Sequence, residues 1–164
     1  MQAFAYKRES YLAGKAKNME LNTSRFGKLQ CSQGETLCFP SGLVGLEDCR
    51  SWVLLTPREG DRVLWIQSTQ QGEIALPVVD PRTFVADFTF RIEQSDWAAL
   101  GKRETDLLQV LVAVGKTPSG LSLNLLAPLV INCARRIGRQ AVNLDDWAVD
   151  HLIDLTYGEL QKTA

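Results

Sequence analysis

Histidine is almost absent from this 164-residue sequence, which contains only His151. A Ser-His-Asp or Cys-His catalytic system would have to depend on that residue, and no G-x-S-x-G segment supplies a nucleophile. Cysteine is also sparse, and none of the four residues forms the C-x-x-C spacing of a local zinc or redox site. The sequence therefore predicts a protein that is not an enzyme and that holds no metal or cofactor. The cysteines are Cys31, Cys38, Cys49 and Cys133.

Long apolar runs are missing as well. The longest comparable stretch, 121–131, is interrupted by Ser122, Asn124 and Pro128, and it falls short of the roughly 18 apolar residues that a membrane helix needs. The first residues lack the apolar segment of a secretory signal. We therefore expect a cytoplasmic protein whose cysteines are reduced and buried.

One segment invites comparison with a phosphate-binding loop, namely Gly-Lys-Thr at 115–117. That loop requires a glycine at position 110, where this sequence has Val110. Pro118 also stands where the helix of such a loop would begin. The residues favour the end of a strand followed by a turn.

Arg135, Arg136 and Arg139 form the one basic cluster in the central part of the chain. No aromatic residues alternate with them, and three arginines neutralise few phosphates. A polar turn is therefore favoured, and we expect no direct contact with nucleic acid. RNA binding through these arginines is kept as the lowest-ranked hypothesis.

Positive and negative charges are nearly balanced, because the sequence has 18 Lys and Arg residues and 19 Asp and Glu residues. Residues 1–18 carry four of the bases and one acid, which leaves 14 bases against 18 acids and a net charge of −4 in the remainder. A mildly acidic surface suits a basic partner protein. The length fits one domain, which we place at 19–153, with a mobile leader at 1–18 and a C-terminal tail at 154–164.

Short alternating or apolar runs recur between turn residues along the chain. Ser95 as N-cap, Asp96 in the first turn and Gly101 at the end predict one short helix near 95–100. About ten short strands with this helix predict a mainly β fold, an antiparallel barrel-like or sandwich domain. The predicted strands are 19–23, 29–31, 36–39, 51–55, 62–67, 73–79, 88–92, 107–114, 121–125, 129–131 and 140–144.

Pro40, Gly42 and Gly45 predict a turn that holds three apolar residues outside any regular strand. Those residues either fold back as a lid on the end of the barrel or form an exposed patch for a partner. Because partner surfaces usually lie on loops, we expect contacts here and at the turn after position 79. The candidate partner-binding residues are Leu43, Val44, Leu46, Glu47, Asp80 and Phe84.

Three segments carry a more specific pattern. The first reads Phe-Pro-Ser-Gly-Leu-Val-Gly-Leu-Glu at 39–47. The second joins Leu-Trp-Ile-Gln-Ser at 64–68 to Glu-Ile-Ala-Leu-Pro-Val-Val-Asp-Pro at 73–81. The third joins Leu-Asn-Leu-Leu-Ala-Pro-Leu-Val-Ile-Asn at 123–132 to Gly-Arg-Gln-Ala-Val at 138–142. In this order and spacing, they resemble the flagellar assembly factor FliW family over about residues 19–153.

Two positions depart from the pattern of that family. Leu46 stands where the family usually has an aromatic residue, and Pro77 interrupts a stretch that is normally a plain apolar strand. We expect these two departures to alter a contact surface.

The resemblance implies a cytoplasmic regulator of flagellum biogenesis that binds flagellin and CsrA, an RNA-binding repressor of translation. The free protein would bind CsrA and relieve repression of flagellin translation, and accumulated flagellin would displace CsrA. We expect a monomer when no partner is bound. The alternatives are a flagellin-binding chaperone without CsrA antagonism and, less favoured, a small RNA-binding module.

Overall fold

The computed structural model describes residues 2–3, 17–56 and 61–162, so most of the predicted leader and the end of the tail lie outside the described residues. Within these ranges the chain forms twelve strands and two short α-helices. The strands are β1 (Gln2–Ala3), β2 (Asn18–Thr23), β3 (Gly27–Ser32), β4 (Thr36–Cys38), β5 (Ser51–Thr56), β6 (Leu64–Ser68), β7 (Ala75–Val79), β8 (Leu108–Thr117), β9 (Gly120–Leu123), β10 (Leu129–Asn132), β11 (Ile137–Gln140) and β12 (His151–Leu152). The helices are α1 (Gln94–Leu100) and α2 (Tyr157–Lys162).

Seven strands close into a barrel in the order β4, β5, β6, β7, β8, β10 and β11, and β11 returns to β4. The neighbours are antiparallel except at this closure, where Ile137 lies beside Cys38 in a parallel pair. β8 pairs with β7 along one edge, and its other edge pairs first with β10 and then with β9. The ten-residue β8 therefore joins the barrel to an extension made of β9 and β12.

The barrel interior follows the two-residue period of its strands. Trp52 and Leu54 of β5 belong to the interior cluster, whereas Val53 and Leu55 belong to a cluster on the outer face. Trp52 is fully buried, and its indole N–H donates to the Cys49 carbonyl oxygen at 2.9 Å, so its polar atom is satisfied. The buried interior residues are Leu37, Phe39, Leu43, Cys49, Trp52, Leu54, Ile66, Val78, Leu111, Leu129 and Ile131.

Three smaller layers cover the outside of the barrel. The β2–β3 hairpin packs on the outward residues of β5 and β6. α1 brings Leu100 onto Val130 of β10. The third layer is an apolar cluster in which Leu121 and Leu123 of β9 pack with Val112 of β8. Burial on both sides of these strands explains why several of them are continuous apolar runs.

The mainly β barrel with a short helix near 95–100 is confirmed. Three details of the prediction are wrong. α1 begins at Gln94 after Glu93, so Ser95 is not its N-cap. Residues 88–92 alternate but form no strand, because the Asn143 side chain binds the Arg91 N–H and the Thr89 carbonyl oxygen in place of a neighbouring strand. Beyond Gln140 the predicted strand 140–144 is extended chain outside β11.

Pro77 sits inside β7, opposite Trp65 of β6. On the other side of β7, pairing with β8 starts only at Val78. One edge of the chain at Pro77 therefore has no strand neighbour, which is a position where a sheet tolerates the missing N–H of proline.

The four cysteines are free thiols. Cys31 and Cys49 are buried and Cys133 is half-buried, but Cys38 is exposed, so the prediction of buried thiols is wrong for Cys38. Burial raises the pKa of the Cys133 thiol. Within the described ranges, no helix has the length and apolar character needed to cross a bilayer.

Candidate partner-binding surface

The loop between β4 and β5 is a rigid turn with an apolar tip. The Leu46 N–H donates to the Leu43 carbonyl oxygen at 2.8 Å, which closes a four-residue turn around Val44 and Gly45. Gly45 has φ of +79° at the third position of this turn, where a left-handed backbone is required. The backbone N–H of Val44 is held by the Gln140 Oε1 at 2.8 Å, which ties the tip to the end of β11.

Both predicted fates of the apolar loop residues occur, in different residues. Leu43 is 3% exposed and belongs to the interior cluster, so it plugs this end of the barrel. Leu46 is half-buried against the same cluster. Val44 is 82% exposed, which makes it the most exposed large apolar side chain of the described residues. The loop therefore presents a single apolar side chain on a base that is anchored in the core.

A shallow groove of about 130 Å³ lies beside Val44. It is lined by residues 41–44 and 47 of the loop and by residues 138–140 of β11, and its two charged residues are Glu47 and Arg139. Arg139 forms an ion pair with Asp96 of α1 and donates to the Ser41 Oγ at 3.2 Å. An apolar tip beside a groove with a polar rim is the arrangement that protein interfaces use.

Glu47 stabilises the tip through its charge. Its Oε1 accepts a hydrogen bond from the Gly45 N–H at 2.8 Å, and this bond, followed by one from its own backbone N–H, lowers the pKa of the carboxyl group. A lowered pKa means that the stabilisation is complete above the ordinary glutamate pKa and is lost as the pH falls through the lowered value.

We therefore expect the Gly45 amide resonance to move on acidification, with a midpoint below that of an unstructured glutamate peptide. The measurement is a two-dimensional ¹⁵N–¹H NMR titration. In Glu47→Gln, which keeps an oxygen acceptor but cannot titrate, the same resonance should stay in place over this range. A midpoint at or above the peptide value would contradict the assigned role of Glu47.

The remaining candidates, Asp80 and Phe84, lie at the other end of the barrel. Successive strands from β4 to β7 are antiparallel, so the end of β4, which leads into the Val44 loop, and the end of β7 point to opposite ends. Asp80 caps a short 3₁₀ turn by accepting the Arg82 N–H at 2.9 Å. Phe84 is half-buried beneath the guanidinium of Arg62, whose Cζ lies 4.8 Å from the ring centroid. The structure thus separates the six predicted residues into two groups.

The structure also places the residues that the sequence raised for a metal site and for RNA binding. Among residues 17–56 and 61–162, no three His, Cys, Asp or Glu side chains are grouped as a metal site would require. Of the three arginines proposed to touch RNA, Arg139 is paired with Asp96, and Arg135 donates to the Gly101 carbonyl oxygen at 3.0 Å. These side chains serve contacts within the protein.

Sequence reasoning missed one exposed strip, residues 141–154. It runs antiparallel beside 121–128, with the Asn143 N–H on the Leu126 carbonyl oxygen at 2.7 Å. It contains four aspartates and no lysine or arginine. The alternation at 141–144 was a usable signal, because a strand-like segment with Ala141 and Asn143 buried must turn the residues between them outward. The exposed apolar residues of the strip are Val142, Leu144, Val149 and Leu152.

Comparison with known proteins agrees with this fold and with the sequence motifs. The family profile described as "FliW protein" matches residues 20–153. The flagellar assembly factor FliW of Bdellovibrio bacteriovorus is 33% identical over 130 residues, covering 78% of this chain and 74% of that protein. The flagellar assembly factor FliW of Natranaerobius thermophilus is 28% identical over 137 residues, covering 81% of this chain and 91% of that protein.

A solved structure gives the same result for the fold. The crystal structure of a flagellar assembly factor FliW superimposes with a TM-score of 0.76 and covers 82% of this chain and 96% of its own. The sequence identity in that superposition is 17%, so the likeness concerns the fold. The profile match over residues 20–153 and the 33% identical relative establish that the chain belongs to the FliW family of flagellar assembly factors.

Proposed function

We propose that this protein is a non-enzymatic cytoplasmic regulator that binds flagellin and the translational repressor CsrA, one at the expense of the other. Membership of the FliW family over residues 20–153 is the observation that carries the proposal. Free protein sequesters CsrA and allows flagellin translation, and flagellin that accumulates takes the protein away from CsrA. Mass action between two competing equilibria is sufficient for this switch.

Two features of the surface support a docking function. The Val44 tip is held in one conformation before any partner arrives, which lowers the entropic cost of binding. The strip at 141–154 carries three exposed aspartates, Asp146, Asp150 and Asp154, beside exposed aliphatic residues, and such a surface complements a basic protein. Its fourth aspartate, Asp145, is paired with Arg91 within the protein. An RNA-binding repressor is a protein of that kind.

The direct test is calorimetric titration of the purified protein with flagellin and with CsrA from the same organism, separately and then in competition. We expect binding to each partner and release of CsrA when flagellin is added to the preformed complex. Binding to flagellin alone would leave the chaperone alternative. Binding to neither protein would overturn the proposal.

Val44→Asp is expected to weaken the binding of at least one partner about 30-fold, or about 2 kcal/mol, because it places a charge on the apolar contact. Since Val44 is exposed, the thermal midpoint of the free protein should change little.

Leu107→Asp is the comparison variant for the other end of the barrel. Leu107 is also an exposed aliphatic residue, but it precedes β8 at the opposite end and lines a groove with Asp80, so it tests the second group of candidate residues. Wild-type affinity of Val44→Asp for both partners would place the contact surface elsewhere, and a loss in Leu107→Asp alone would place it at the Asp80 end.

A further inference from the structure

The C-terminal helix α2 lies beyond the residues that match the FliW family profile, yet it packs on the matched domain. Leu160 packs against two outer clusters, one containing Trp65 and the other containing Val63. It thereby bridges the β2–β3 hairpin layer and the β8–β9 layer. α2 covers a surface that the rest of the chain builds without it.

Two arginines on this surface are held against aromatic rings. The Cζ of Arg25 lies 3.7 Å from the centroid of the Trp65 ring, and the Cζ of Arg62 lies 4.8 Å from that of Phe84. Stacking of this kind keeps a guanidinium in place while its N–H groups remain available to an acceptor. We call Arg25, Arg62, Trp65 and Phe84 the arginine–aromatic surface.

α2 provides an acceptor to each arginine. The Arg62 Nη2 pairs with the Glu159 Oε1 at 2.9 Å, and the Arg25 Nη2 donates to the Leu160 carbonyl oxygen at 3.4 Å. The groups that this surface binds are therefore a carboxylate, from Glu159, and the leucine that follows it, Leu160, on a helical segment. Phe84, one of the residues predicted to contact a partner, belongs to the site.

The hold of α2 on this surface is weak. Six residues are too few for a helix that is stable on its own, since isolated helices shorter than about 12 residues are marginal in water. The Arg62–Glu159 pair is solvent-exposed, with 43% and 42% of the two side chains accessible, and exposed ion pairs contribute little to stability. A longer helix with the same two recognition groups would bury more apolar area and displace α2.

We propose that the arginine–aromatic surface is a docking site for an acidic amphipathic helix of a partner protein, and that α2 is a built-in competitor that occupies the site until the partner arrives. The site is distinct from the Val44 tip and does not depend on the identity of the two proteins named above. As an intramolecular occupant, α2 lowers the apparent affinity for the partner helix by the fraction of time during which it covers the surface.

The test uses the full chain and a fluorescein-labelled peptide with the sequence of residues 150–164, which carries the same recognition groups. We expect the double variant Glu159→Gln, Leu160→Ser to bind this peptide about tenfold more tightly than the wild type, because its own α2 no longer competes. Adding Arg62→Gln to the double variant should remove that gain. Fluorescence anisotropy measures all three affinities.

Three other results would overturn the proposal. The wild type and the double variant could bind the peptide with equal affinity, neither could bind it, or the gain in affinity could persist after Arg62→Gln is added. Circular dichroism verifies that the variants fold, and the single variant Glu159→Gln should shift the affinity in the same direction if the double variant does not fold. Light scattering measures the mass of the wild type and of the double variant. A mass of two chains for the wild type and of one chain for the double variant would mean that α2 docks on a second copy, which would also overturn the proposal.

Discussion

The Gly138→Ala variant is expected to lose about 3 kcal/mol of unfolding free energy, because the added methyl group has no space inside the barrel. A Cβ atom at Gly138 of β11 would overlap the ring of Phe39. That ring is 1% exposed and lies within the interior cluster, so it cannot turn aside without displacing its packed neighbours. The glycine therefore makes room for an aromatic ring at the point where β11 closes the barrel against β4.

Urea unfolding of Gly138→Ala beside Gly115→Ala measures this effect. Gly115 is also a strand glycine, but it lies in β8, where a Cβ atom would meet the Ser122 Oγ at 3.3 Å and the Ser122 carbonyl oxygen at 4.0 Å and would overlap neither. The control should stay within about 0.5 kcal/mol of the wild type. Phe39→Leu in the Gly138→Ala background should restore part of the loss, since it removes the overlapping ring atoms. An unchanged urea midpoint for Gly138→Ala would show that the ring yields freely.

Local signals in the sequence were enough to predict most strands and α1. Gly101 ends α1 with φ of +56°, and a glycine at that position is a signal that needs no knowledge of the rest of the chain. The Ser95 prediction was wrong because α1 begins at Gln94, so that Glu93 is the N-cap and Ser95 is the second residue of the helix. The short α2 was not predicted, although Thr156 and Glu159 form a capping box at its start, which is a local signal in the sequence.

Alternation alone could not show which groups would bind the backbone of residues 88–92. Phe88 and Phe90 share one face as they would in a strand, but the Asn143 side chain accepts from the Arg91 N–H and donates to the Thr89 carbonyl oxygen. The closure of the barrel could not be predicted from local sequence signals either. It depends on one parallel pair between Ile137 and Cys38, which are separated by almost a hundred residues.

The candidate loop illustrates the same limit at the level of single side chains. Leu43 and Val44 are adjacent aliphatic residues, and nothing in their types indicates which is buried. The difference comes from the turn between Leu43 and Leu46, which places Val44 at its exposed tip while Leu43 belongs to the interior cluster. Sequence reasoning therefore located the loop correctly but could not assign separate roles to its residues.

Gly42→Ala is expected to cost about 3 kcal/mol of unfolding free energy and to displace the Val44 tip, whereas Gly45→Ala should cost about 1 kcal/mol. Both glycines have a left-handed backbone, with φ of +68° and +79°, so both variants carry similar strain. Only at Gly42 would the new Cβ atom also collide with backbone, 2.5 Å from the Cα of Glu47, while at Gly45 nothing lies within 4 Å.

The comparison of these two variants separates strain from collision within one loop. Urea unfolding gives the two free energies, and the ¹⁵N–¹H spectrum shows whether the Val44 and Gly45 amides keep their hydrogen-bonded positions. The Val44 N–H should lose its bond to Gln140 in Gly42→Ala and retain it in Gly45→Ala, because only the collision forces the 42–47 backbone to move. Equal destabilisation by the two substitutions would mean that the loop relaxes around Glu47, and the tip would then be adaptable rather than preorganised.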